Sequence, residues 1–210
     1  MFKDRIVRPL DKPVLSSMTS PVLFSLQDLI SLRGQARVLN LGGSSQPETD
    51  SIFRGLTCDV ESCNLFDRLK DEQPQKNESD SAFINRLRKL CRDTIPVPKE
   101  NGFDLILCWD GLNYLPTEVL SFITRYIVNF VNPTTLFHMY FHVHSVMPQI
   151  PGKFKSDQES VQVFYPNDKT TESPAYTQSD IAKMMPRYTV VRSMLLKSGM
   201  QEYLMKLGPM

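Results

Sequence analysis

The sequence predicts an α/β domain whose mostly parallel sheet ends in an antiparallel hairpin. Three observations carry that prediction. Val38-Leu39-Asn40-Leu41 is a short buried-strand run that enters a glycine turn at Gly42-Gly43 at once. Phe103 to Asp110 is a near-continuous apolar run, as expected of a central parallel strand covered on both faces. Two strand patterns, Tyr188 to Leu196 and Gln201 to Leu207, are separated only by the turn at Lys197-Ser198-Gly199, which forces them antiparallel.

The remaining elements follow in order. Met1 to Thr19 reads as an irregular arm, and residues 20–210 as one domain, a size that buries a sizeable core. Ser20-Pro21 is an N-cap and first helical residue, with Val22, Leu23, Leu26, Leu29 and Ile30 near helical spacing and Gly34 as the stop. After the glycine turn, Gln46 to Arg54 allows only a short helix. Leu56 to Glu61 alternates as the second strand, with Leu56, Cys58 and Val60 on one face and Asp59 and Glu61 on the other. Asp71 to Asp80 is a polar loop. Phe83, Ile84, Leu87, Leu90 and Cys91 then mark an amphipathic helix that stops before Pro96 and Pro98. No clear strand lies between Glu61 and Phe103. A helix begins near Thr117 and is broken at Asn132-Pro133, and Leu136 to His144 is the next strand. Ser145 to Tyr176 loses the pattern, keeps one strand-like piece at Val161 to Tyr165, and reads as an insertion at the ligand edge. Thr177 to Asp180 opens a last short helix as a capping box with Asp at N3.

Composition excludes several classes. Net charge is +1, so no strong nucleic-acid signal is present. No apolar run is long enough for a bilayer, and no secretory h-region follows the first residues. The four cysteines form no C-x-x-C pair and read as reduced thiols, which fits a cytoplasmic setting. Structural zinc is disfavoured because its ligands normally come in close pairs. His138, His142 and His144 share one face by alternation; imidazoles so placed more often satisfy core hydrogen bonds than bind metal.

The run Val38-Leu39-Asn40-Leu41-Gly42-Gly43-Ser44, the acid near the end of strand two, and Phe103 to Leu115 together resemble the Rossmann-like (class I) S-adenosylmethionine-dependent methyltransferases. The tail Gly199 to Leu204 is similar to that of a small bacterial branch. The resemblance spans roughly residues 20–207. It departs at Asn40, where aspartate is common, and at Ser44 and Gln46, where further glycines usually stand. A dinucleotide site is disfavoured, since Gly42 to Pro47 lacks G-x-G-x-x-G.

What the resemblance implies is a methyltransferase with S-adenosylmethionine as cofactor and an unidentified small-molecule or protein methyl acceptor. Asn40, Gly42, Gly43 and Ser44 would meet the amino-acid tail, since backbone N–H groups of such a turn hold a carboxylate. Asp59 or Glu61 would accept from the ribose hydroxyls, and a spacing of about 20 residues from the turn favours Glu61. Trp109 would line the cofactor sulfur. Asp110 and His144 are the candidate catalytic residues, Asp110 above the central strand and His144 as a proton acceptor at the end of the next one. The missing third strand removes an adenine contact. The rival reading is an inactive methyltransferase fold kept as a ligand-binding or protein-interaction module.

Overall fold

A computed structural model describes residues 14–31, 35–42, 58–69, 72–98, 102–156 and 160–208. Its centre is a six-stranded sheet in the order β10-β11-β5-β4-β2-β3. Strands β2 (Ala36–Asn40), β3 (Cys58–Ser62), β4 (Phe103–Trp109) and β5 (Val131–His142) run parallel, and β11 (Met200–Leu207) pairs antiparallel with both β5 and β10 (Tyr188–Leu195). The parallel sheet with a terminal hairpin is as the sequence predicts. Among the described residues no strand lies between β3 and β4.

Alternation along the strands builds two apolar layers. Leu39, Ile106 and Phe137 face the helices α3 (Asp80–Thr94), α4 (Thr117–Ile127) and α5 (Gln178–Met184). Val38, Leu105, Leu107 and Tyr140 face α1 (Pro21–Ser31) and the segment after β5. Central β4 feeds both layers, which is why its sequence is apolar almost throughout. The caps behave as their residues dictate. Ser79 accepts from Ala82 N–H at the start of α3, and Thr177 and Asp180 close a reciprocal capping box on α5.

Four expectations change. The arm ends in a strand, β1 (Val14–Met18), which pairs antiparallel with β8 (Val161–Tyr165). Four of its five residues are exposed, so it carries no alternation to read. The insertion is built of strands: β7 (Lys153–Ser156) joins β8 and β1 in a three-stranded sheet, and β6 (Val146–Pro148) pairs with β9 (Thr170–Glu172). A short helix, α2 (Leu65–Leu69), follows β3. Finally, β5 starts at Val131, ahead of Asn132-Pro133, and ends at His142; the proline sits where pairing with β4 shifts register, a place that tolerates a missing N–H. His144 therefore lies off the strand. No described helix is long and apolar enough to cross a membrane.

Candidate functional site

The carboxyl ends of β2 and β4 meet at a cavity of about 280 Å³. Gly42 after β2, Asp110 and Gly111 after β4, and Phe66 and Asp67 on α2 line it from the sheet side; the insertion closes it with Ile150 to Lys153. A larger hollow of about 480 Å³, between Val128, Pro133 and Arg187, opens at the amino edge of β5, away from the ends where parallel sheets bind ligands.

The polar residues of β2 and β4 organise the floor. Asn40 is fully buried, and its Oδ1 accepts from Gly42 N–H at 3.1 Å and from the Trp109 indole N–H at 2.8 Å. Trp109 has φ of +50°, a left-handed conformation uncommon for a bulky residue. That backbone turn brings its ring over Gly42 and against Phe154 of the insertion, stacked at 4.8 Å between centroids. Asn40, Gly42 and Trp109 are thus brought together, and the indole bonds to the chain itself. Gly43 and Ser44 lie outside the described residues.

Asp110 is fully buried. Its carboxylate accepts from Gly152 N–H at 3.1–3.2 Å and from the Tyr165 hydroxyl at 3.4 Å. Burial and the Asp110 charge push the Tyr165 and Tyr114 hydroxyls well above the ordinary phenol range, so both stay donors. Asn113 then ties this turn to β5. Its Nδ2 donates to the carbonyls of Asp110 (2.6 Å) and Tyr140 (2.9 Å), and its Oδ1 accepts from His142 N–H (3.0 Å). The result sets His142 Nε2 3.7 Å from Asp110 Oδ2, buried and with no hydrogen-bond partner. His144 is exposed and lies against Gly199 at the β10–β11 turn, so the histidine beside Asp110 is His142.

The acids of strand two also sit differently. Asp59 and Glu61 pair opposite Arg37 and Leu39, short of the strand's end at Ser62, and neither is among the described residues that line the cavity. Asp67 is. The signal for it was the apolar spacing of Leu65, Phe66 and Leu69, all buried, which makes α2 amphipathic.

On the same face of β5 a second acid–histidine pair is closed. His138 Nε2 lies 2.8 Å from Glu202 Oε1, and both side chains are fully buried. Glu202 also accepts from Ser20, from Leu23 N–H at 3.1 Å and from Val22 N–H at 3.3 Å, so it caps the amino end of α1.

The fold is that of the Rossmann-like S-adenosylmethionine-dependent methyltransferases. A methyltransferase of that class from Clostridium acetobutylicum ATCC 824 is similar over 89% of this chain and 90% of its own, at 15% identity and a TM-score of 0.51. The magnesium protoporphyrin IX methyltransferase of Synechocystis PCC 6803, solved with bound S-adenosylhomocysteine, is similar over 90% of this chain and 82% of its own, at 9% identity and a TM-score of 0.50. No family model matches the chain, and no curated protein matches it in sequence.

Proposed function

We propose that the chain is an S-adenosylmethionine-dependent methyltransferase that uses the carboxyl-edge cavity and acts on a small-molecule or protein acceptor. The observation that carries this reading is the cavity's position, between the turn after β2 and the turn after β4, in a sheet of methyltransferase order. At about 280 Å³ it falls just below the roughly 300–1,000 Å³ of small-molecule sites.

The residues present suit the nucleoside end of the cofactor. Asp67 is an acceptor-only carboxylate, which matches a pair of ribose hydroxyls, and the Phe66 ring offers the base an apolar wall. The tail would lie toward Gly42. When bound, the cofactor supplies an electrophilic methyl group; the chain's part is to orient its partner and exclude water. The insertion supplies the exclusion, since Gly152 N–H seals Asp110 from above.

Calorimetry with S-adenosylmethionine and S-adenosylhomocysteine tests this. Micromolar binding, weakened at least tenfold in Asp67→Ala, supports it; no binding at millimolar ligand overturns it. One observation favours the rival reading of a non-enzymatic ligand-binding or protein-interaction module: the Trp109 ring covers the bare face of Gly42 and is itself sealed by Phe154. On that reading neither compound binds.

A further inference from the structure

Two buried acid–histidine pairs lie along one face of β5, and they differ in a way that assigns them different work. His138 and Glu202 are closed at 2.8 Å, and Glu202 is further saturated by Ser20 and the α1 N–H groups. That pair holds a helix on a sheet. His142 and Asp110 are open: 3.7 Å separates Nε2 from Oδ2, and Nε2 has no partner although its side chain is only 10% exposed. Each ring keeps one buried nitrogen without a partner, His138 Nδ1 and His142 Nε2, but only in the second pair is it the nitrogen that faces the acid. Asp110, unlike Glu202, also lines the cavity.

We propose that Asp110 and His142 are the acid–base pair of this site, and that the methyl acceptor is a group that sheds a proton from its nucleophilic atom, a hydroxyl or a protonated amine. This rests on the methyltransferase reading above. The acceptor's X–H bond breaks with its electron pair staying on X and its proton going to an Asp110 oxygen. Asp110 hands that proton to His142 Nε2, which restores the carboxylate and leaves an imidazolium to discharge to water. The gap closes over less than 1 Å, a tightening expected when a site fills.

The surrounding groups fit these roles. Gly152 N–H and the Tyr165 hydroxyl donate to Asp110 and steady its charge. Tyr114 donates to the Ile150 carbonyl at 3.1 Å, and Tyr140 is engaged with Ser20 at 2.8 Å. All three phenols are raised by burial first and by neighbouring carboxylate charge next, so none competes as a base. Asn113 sets the spacing through the backbone of both partners.

The test uses the full chain, with 4-nitrophenol as acceptor probe in the presence of S-adenosylhomocysteine. In the wild type near pH 6 the bound probe shows the phenolate band; in His142→Gln and Asp110→Asn it stays neutral. No phenolate band at millimolar probe, or an equal band in His142→Gln, overturns the pair even where S-adenosylhomocysteine binds. If Asp110→Asn does not fold, His142→Gln decides through the band alone. Failure of S-adenosylhomocysteine to bind the wild type overturns the methyltransferase reading, and the pair's role with it.

Discussion

The Trp109 indole stands where a side chain on residue 42 would be: a Cβ built on Gly42 falls 2.1 Å from Trp109 Cδ1. Glycine is required here by the chain's own ring. Gly42→Ala therefore overpacks a sealed site and is expected to lose about 1–3 kcal/mol in urea denaturation. The double variant Gly42→Ala/Trp109→Leu should recover part of that loss, because the offending ring is gone. Equal losses in single and double variants would mean the glycine answers to something else.

Glu202 ties β11, β5 and α1 together through one carboxylate. Removing it by Glu202→Ala leaves a buried imidazole and two helix N–H groups without their acceptor, an expected loss of about 3–5 kcal/mol. Burial pushes this carboxyl up, but the bonds from His138, Ser20 and Leu23 with the His138 charge outweigh it, and the net direction is down.

The sign of the pH effect follows from that direction. A carboxyl held lower in the folded chain than in the unfolded one contributes fully above the unfolded value, which is near 4.5. The contribution is lost as pH falls through the folded value. Urea midpoints measured from pH 6 downward should drop below about pH 5 in the wild type and less steeply in Glu202→Gln.

Asn113 makes three bonds that hold the turn after β4 to the end of β5. Asn113→Ala should lower stability by about 2–4 kcal/mol, from three bonds at roughly 1 kcal/mol each. A crystal structure or NMR contacts of the variant should show His142 no longer beside Asp110.

Cys63, Cys91 and Cys108 are buried, and burial pushes each thiol up to about 12. Cys58 is half-buried. Native protein at about pH 8 should therefore show one accessible thiol to a disulfide reagent, at Cys58, and all four cysteines after denaturation. Fast labelling of Cys63 in the native chain would contradict its burial.

The strands of the central sheet were legible because burial on two faces leaves a direct mark: Phe103 to Trp109 is apolar at nearly every position. The terminal hairpin was legible from its turn, and α5 from its capping box. The site was legible only in part. Asn40, Gly42, Trp109 and Asp110 stood out because they end strands. His142 was passed over for His144 since nothing local marks where β5 stops; that point is set by pairing with Met200 at the start of β11. Asp67 was missed because five residues of helix give too short a pattern. The insertion hid its strands because three of them have only three or four residues, and because one of the two partners of β8 lies at the other end of the chain.

That last pairing has a consequence for how the molecule comes into being. Val14 faces Tyr165 and Met18 faces Val161, so the first described strand has no partner until the segment from Val161 to Tyr165 is made. Until then Trp109 lacks the Phe154 ring above it, and Asp110 lacks the Gly152 amide. The roof of the chamber is thus made before β11, the strand that completes the sheet beside β5, so the chamber closes only when both ends of the domain are present.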